Sequence, residues 1–193
     1  MWALILEGLA IGGLLGLTGS GGGILAVPAL MASQGWTVAQ AAPVGLLAVT
    51  LSALVGTFEG LFKRIVRYRA ALWIALISIP SARYGVHLAD IVSAVWLTLA
   101  FSLVMLIVAY RIFFNKVHDH GNAPCKVNQT TGRLIWNVKT ASFLAGIGVV
   151  VGLLTGLLGV GGGFVIVPAL RKFTDLDMRS IVATSLMIIF LIG

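Results

Sequence analysis

The chain is too apolar and too poor in charge for a protein that folds in water. Its 193 residues are 59% hydrophobic and 10% charged, whereas a soluble domain carries about 25% charged residues. The net charge of +7 does not indicate a nucleic-acid partner, because the basic residues lie beside apolar segments, where they orient a membrane protein. We therefore expect an all-α, polytopic integral membrane protein of the inner (plasma) membrane, in contact with lipid.

The first apolar segment is too long and too rich in glycine for one straight helix. It covers residues 2–32, while a span needs about 20 residues. Glycines at 19 and 21–23 and Pro28 weaken a helix there. We predict two half-helices, residues 2–18 and 23–32. Three continuous apolar segments follow it in the first half, at residues 37–61, 70–89 and 91–114.

A polar loop, residues 115–137, then divides the chain. It separates a first transmembrane repeat, residues 1–114, from a second repeat, residues 138–193. Segment five, residues 138–170, resembles segment one, and segment six begins near Met178 and is still apolar at Gly193. The second repeat is incomplete, and by analogy with the first we expect about 60 further residues in the whole protein.

The two halves share an internal repeat. Residues 12–30 and 152–170 align with an offset of 140 residues and are identical at 12 of 19 positions. Apolar runs interrupted by Gly and Pro at matching places in two halves indicate the binding site of a transporter. Each half thus begins with a Gly-rich broken or re-entrant helix. If each such helix enters and leaves on one face, the two repeats are inverted.

Basic residues indicate the cytoplasmic face. Nine of the thirteen Lys and Arg residues lie in or beside two loops that two segments separate: Lys63, Arg64, Arg67, Arg69, Arg111, Lys116, Lys126, Arg133 and Lys139. By the positive-inside rule, the face that carries both loops is cytoplasmic. Inversion is favoured by the same rule, because Arg171, Lys172 and Arg179 follow segment five whereas residues 32–37 carry no charge.

The glycine breaks have the chemistry of an anion site. A helix that begins inside a membrane leaves N–H groups unpaired and carries a partial positive charge, so it binds anions. Nearby hydroxyls of Thr18, Ser20 and Thr155 add donors. The candidate substrate-binding residues at the breaks are Gly19, Ser20, Gly21, Gly22, Gly23, Gly159, Gly161, Gly162 and Gly163.

Helix packing is the alternative interpretation of these glycines. Gly12-x-x-x-Gly16 and Gly152-x-x-x-Gly156 have the spacing that lets two helices approach closely. We assign these two pairs to packing and the triple glycines, which precede Val-Pro in both halves, to the solute site.

The doubled motif Gly-x-x-Gly-x-Gly-Gly-Gly-x-x-x-Val-Pro-x-Leu resembles the TauE/SafE family of sulfite exporters and related anion permeases. The segment Ala183-Thr184-Ser185-Leu186 is also similar to that family's pattern, which implies that Thr184 and Ser185 bind substrate. The resemblance implies a secondary transporter of sulfite, thiosulfate or an organosulfonate. Repeat one has Pro43-Val44-Gly45 at the aligned positions, so a symmetric pair of hydroxyls is not expected.

Arg83, inside segment three, is a further candidate, because a guanidinium suits a sulfur oxyanion. Its alternative role is to snorkel to the interface and pair with Asp90. No catalytic residue, metal site or cofactor is predicted, and the chain is not expected to be an enzyme. A channel, a transporter of another solute and a non-transporting assembly subunit remain alternatives. A coupling proton or cation and a homo-oligomer are left open.

Overall fold

The computed structural model describes residues 8–9, 13, 22–114, 137–159, 161–174 and 176–193. Within these ranges the fold is all-helical. The seven helices are α1 (Gly22–Gln34), α2 (Val38–Phe62), α3 (Tyr68–Ile91), α4 (Ala94–Phe114), α5 (Val138–Leu158), α6 (Gly163–Phe173) and α7 (Met178–Ile192). Predicted segments two, three, four and six correspond to α2, α3, α4 and α7. The predicted half-helix 2–18 and most of the polar loop lie outside the described residues.

Two of these helices are long and apolar enough to cross a membrane. They are Gln40–Phe62 within α2 and Thr140–Leu158 within α5. Both consist mostly of Ala, Val, Leu and Gly and carry almost no charge. Glu59 is the exception in α2, and it pairs with Lys63 one turn later, near the end of that helix.

Helices α3 and α5 pack side by side in parallel, and glycines of α5 make the contact. A Cβ on Gly148 would lie 3.0 Å from the carbonyl oxygen of Ile74, and Gly152 and Gly156 lie even more tightly against the carbonyl oxygens of Ser78 and Ala82. The hydroxyl of Ser78 donates to the carbonyl oxygen of Gly148 at 2.8 Å. The packing role predicted for Gly152-x-x-x-Gly156 is therefore observed, whereas Gly12-x-x-x-Gly16 lies outside the described residues.

Helices α2 and α7 pack against each other in antiparallel orientation. A Cβ on Gly60 would lie 3.0 Å from that of Ala183, and one on Gly56 would lie 2.6 Å from Cδ1 of Leu186. Further along, Val49 lies near Ile189, since both contact Gly161. Earlier residues of α2 therefore contact later residues of α7, as in an antiparallel pair. The two helices begin at Val38 and Met178, which are separated by the 140-residue offset of the repeat.

Helix α7 is the centre of the described fold. It packs against α2, α3 and α6, and its buried residues lie on all its sides. They are Ser180, Ile181, Ala183, Thr184, Ser185, Leu186, Ile188 and Ile189.

One end of the bundle carries nearly all the described basic residues. At this end the indole N–H of Trp73 donates to the carbonyl oxygen of Ala141, which places the starts of α3 and α5 together. The rings of Phe143 and Phe173 stack with centroids 5.3 Å apart, which adds the end of α6. The α2–α3 loop and the start of α7 also meet here. We call this end the basic face. Arg83 alone among the described basic residues lies towards the other end of the bundle.

Candidate functional site

The helix predicted to break at the second glycine cluster ends at Leu158, and the next helix begins at Gly163. Helix α6 then runs back along α5. Gly162 lies against Val151 and Thr155 of α5, while Phe173 at the far end of α6 stacks on Phe143. The two helices therefore form a hairpin, and we call Gly159–Gly163 its tip.

Three glycines of the tip adopt left-handed backbone conformations. The φ angles are 65° at Gly159, 72° at Gly161 and 64° at Gly162. Residues with a Cβ rarely adopt this region. The amide of Gly159 donates to the carbonyl oxygen of Thr155 and so closes α5, and Gly162 is the N-cap of α6. The chain reverses within four residues because these positions are glycine.

The tip is also too tightly surrounded for side chains. A Cβ on Gly159 would lie 2.6 Å from the carbonyl oxygen of Ala42 in α2. One on Gly162 would lie 2.6 Å from Cγ1 of Val151 and 2.9 Å from Oγ1 of Thr155. Gly159, Gly161, Gly162 and Gly163 are all buried. The tip is thus a piece of non-helical backbone enclosed by helices.

The start of α6 adjoins this enclosed space and begins with two N–H groups that precede its first intrahelical bond. The N–H groups of Val165 and Ile166 both donate to the carbonyl oxygen of Gly162. The preceding N–H groups, of Gly163 and Phe164, come before the first intrahelical bond, as at every helix start. With the partial positive charge of the helix end, they form a donor pair suited to an anion.

The hydroxyl of Thr155 lies beside these donors and is itself unsatisfied. Thr155 is 3% exposed, and its Oγ1 has no hydrogen-bond partner within the described residues. A buried polar atom without a partner is rare and costly. The tip therefore combines two backbone N–H groups and one free hydroxyl, with glycines that permit close approach.

The first glycine cluster is only partly visible. Gly19, Ser20 and Gly21 lie outside the described residues, and Gly22 and Gly23 open helix α1. One turn later, Ala26 packs beside Gly45 of α2 and shares a core cluster with Val49. Val49 also contacts Gly161 of the tip. The start of α1 and the α5–α6 tip thus adjoin the same stretch of α2.

Thr184 and Ser185 lie buried in α7, and their hydroxyls bind backbone. Thr184 Oγ1 donates to the carbonyl oxygen of Ser180 at 2.6 Å and accepts from the N–H of Arg67 at 3.1 Å. Ser185 Oγ donates to the carbonyl oxygen of Val182. The bond from Arg67 ties the α2–α3 loop to α7. A role of either hydroxyl in binding substrate stays a prediction.

Arg83 lies on an exposed side of α3. The opposite side of this helix, with Ser78, Ala82 and Gly85, packs on α5. The structure therefore does not bring Arg83 to the tip, and no ion pair with Asp90 is recorded among the described residues. Its predicted role in binding substrate stays untested.

A family model described as Sulfite exporter TauE/SafE matches residues 4–193. The chain belongs to this family. The TauE/SafE model thus covers both halves of the repeat, and the protein is a membrane transporter of TauE/SafE type.

Relatives of this TauE/SafE protein carry names of the same kind. The probable membrane transporter protein YunE of Bacillus subtilis is 28% identical, over 97% of this chain and 73% of that protein. A probable membrane transporter protein of Xylella fastidiosa is 31% identical, over 94% of this chain and 66% of its own length. The chain therefore spans only part of these relatives. No solved structure matches it significantly.

The glycines of the tip and the hydroxyl of Thr155 could be predicted from the sequence, but the side chains that surround the tip could not. Ala42, Leu46 and Val49 of α2 and Ile189 of α7 enclose the tip. These side chains are ordinary apolar residues of long helices, and no local pattern distinguishes them from their neighbours.

Proposed function

We propose that the protein is a secondary transporter that carries a small sulfur-containing anion, such as sulfite, thiosulfate or an organosulfonate, across the inner membrane. The observation that carries this proposal is the buried start of α6, whose N-cap Gly162 adjoins the hydroxyl of Thr155, partnerless within the described residues. Family membership supports transport, and the donor set supports an anion.

The depth of the tip supports a solute site. Arg171 and Lys172 end α6 at the level of the Phe143–Phe173 stack, which suits the membrane interface. Thr155 lies twelve residues beyond Phe143 on α5, or about 18 Å at 1.5 Å per residue. The hydrocarbon core is about 30 Å thick. The tip would then lie close to the midplane, where transporters bind solutes.

The arrangement of the two halves supports alternating access. Helices α2 and α7 correspond by the 140-residue offset and run antiparallel, as inverted repeats require. In such a fold, α1 and α6 would start near the midplane and run towards opposite faces. Each would direct the positive end of its dipole at one solute. The protein would be a multi-pass protein with the basic face in the cytoplasm.

A counterflow assay in proteoliposomes tests the proposal. We expect external labelled sulfite to accumulate in vesicles preloaded with sulfite or an organosulfonate, but not in vesicles preloaded with acetate. Exchange of acetate or of a cation, without exchange of sulfur anions, would indicate a transporter of another solute. Linear flux without counterflow would indicate a channel. No flux, together with no thermal stabilisation by any of these anions, would indicate an assembly subunit.

A further inference from the structure

We propose that the α5–α6 tip is a subsite for a monovalent oxyanion, in which the hydroxyl of Thr155 and the first N–H groups of α6 hold a sulfonate or hydrogensulfite group and dianions are rejected. This inference rests on the proposed function, because it names the charge state of the anion bound at the same site.

The free hydroxyl of Thr155 is unusual in this fold. Hydroxyls on helices commonly donate to the carbonyl oxygen four residues earlier, and six described side chains do so: Thr50, Ser52, Thr57, Ser81, Thr174 and Thr184. Thr155 is as buried as Thr57, Thr174 and Thr184 but makes no such bond with Val151. Its Oγ1 lies 2.9 Å from the place where a Cβ of Gly162 would stand. Since Gly162 is the N-cap of α6, the hydroxyl adjoins the first N–H groups of that helix.

The positive charge available at the tip is small. Each helix start contributes about half an elementary charge. The start of α6 forms the tip, and the start of α1 adjoins the same stretch of α2 through Ala26 and Val49. Two helix ends together supply about one elementary charge, which matches one negative charge on the ligand.

The nearest neighbours of the tip glycines carry no charge within the described residues. The atoms closest to the Cβ positions of these glycines belong to Ala42, Leu46, Val49, Val151, Thr155 and Ile189. They come from α2, α5 and α7, the helices packed around the tip. The tip therefore offers hydrogen bonds in a surrounding of low polarity.

This setting separates anions by charge. The free energy of moving an ion from water into an apolar medium grows with the square of its charge. The cost for a dianion is therefore about four times that for a monoanion of equal size. The attraction of a dianion to the helix ends is only about twice that of a monoanion, because this energy is proportional to the charge. A sulfonate group carries one negative charge at every physiological pH, whereas sulfate and thiosulfate are dianions and sulfite titrates between the two states. The site therefore favours simple sulfonates and hydrogensulfite, and it narrows the proposed substrates by disfavouring thiosulfate.

Competition in the counterflow assay tests the charge preference. We expect unlabelled methanesulfonate to inhibit sulfite counterflow at concentrations at least about ten-fold lower than sulfate, since the cost of leaving water is about four times larger for the dianion. Sulfite transport should fall as the pH is raised and the dianion replaces hydrogensulfite, while methanesulfonate transport should stay constant. Equal inhibition by sulfate and methanesulfonate, or sulfite transport that rises with pH, would overturn the preference for monoanions.

Substitution of Thr155 tests the subsite itself. Thr155→Val removes the hydroxyl at nearly constant volume and should weaken methanesulfonate binding by about ten-fold or more, the usual effect of losing a hydrogen bond to a charged group. Thr155→Ser should restore binding. Thr57→Val is the matched control, because that buried hydroxyl already donates to Ala53 within α2; it should leave affinity unchanged. Wild-type affinity in Thr155→Val would overturn the assignment.

Failure of the two proposals can be told apart. If the wild-type protein transports no sulfur anion, the proposed function is wrong, and the subsite is tested by the shift in melting temperature that methanesulfonate produces in detergent. A shift that Thr155→Val abolishes and Thr155→Ser retains would support the subsite. No shift in the wild-type protein would overturn it.

Discussion

At the residue scale, glycines of a single helix differ in what they do. In α5, Gly152 lies so close to α3 that a Cβ would stand 2.8 Å from that of Ser81, whereas Gly146 has no atom within 4 Å of its Cβ position. The sequence alone does not distinguish these two glycines, since both lie in the same apolar helix. Only the packing partner decides which glycine is required.

These two glycines should respond to alanine with opposite signs. Gly152→Ala forces α3 and α5 apart and should cost about 1–3 kcal/mol, as overpacking does. Gly146→Ala gains helix propensity and should stabilise by up to about 1 kcal/mol. Thermal unfolding in detergent measures both. Equal shifts in melting temperature would contradict the close packing of α3 on α5.

The glycines at the helix starts should be essential for transport. Gly162→Leu brings a side chain onto Val151 and Thr155 and imposes a left-handed conformation on leucine. Gly22→Leu places a bulky group at the start of α1. We expect both variants to insert into the membrane but to lose counterflow, which membrane fractionation and the vesicle assay measure together.

Gly35→Leu is the control for backbone strain in that experiment. Gly35 has a φ of 66° but no atom within 4 Å of its Cβ position, and it lies in the α1–α2 turn, away from the tip. It should keep transport. Loss of counterflow in Gly35→Leu as well as in Gly162→Leu would show that backbone strain alone abolishes transport. Wild-type transport by both Gly22→Leu and Gly162→Leu would show that these glycines do not form the solute site.

At the element scale, most helices could be predicted from the sequence. The run of apolar residues predicted segment two at 37–61, and α2 is Val38–Phe62. The repeated glycine cluster predicted a break between helices, and α5 ends and α6 begins there. The distribution of apolar residues could not predict which helices contact each other. The parallel pairing of α3 with α5 depends on backbone contacts of Gly148 and Gly156, and an apolar helix shows no polar face from which to read its partners.

The hydrogen bond from the N–H of Arg67 to Thr184 is one such contact between the α2–α3 loop and α7. Substitution of Thr184 can therefore distinguish a structural role from a role in binding substrate. Thr184→Val would leave the N–H of Arg67 without its acceptor, at a cost of about 1–3 kcal/mol. We expect a lower melting temperature in detergent and an unchanged KM for sulfite. A raised KM with unchanged stability would instead indicate that Thr184 binds substrate, as the family resemblance implies.

At the scale of the whole molecule, the proposed alternating access requires the two halves to be inverted. The corresponding helices α2 and α7 run antiparallel. As a result, the α1–α2 turn and the α6–α7 turn lie at opposite ends of the bundle. Uncharged residues surround the first turn, whereas Arg171, Lys172 and Arg179 surround the second.

Cysteine labelling should find these two turns on opposite sides of the membrane. In a Cys125→Ser background, we expect Ser33→Cys to react from outside and Asp177→Cys from the cytoplasm, because positive charge is retained inside. Both side chains are exposed. Thr174 is unsuitable, since it is 2% exposed and bonded to Leu170. Labelling of both positions from one side would rule out inversion.

The central claim, that the start of α6 binds the transported anion, is tested most directly by an experimental structure with methanesulfonate bound. Density for the sulfonate should lie at the tip, with oxygens about 3 Å from the N–H groups of Gly163 and Phe164 and from Oγ1 of Thr155. Density beside Arg83 with an empty tip, or a tip that faces lipid, would contradict the account.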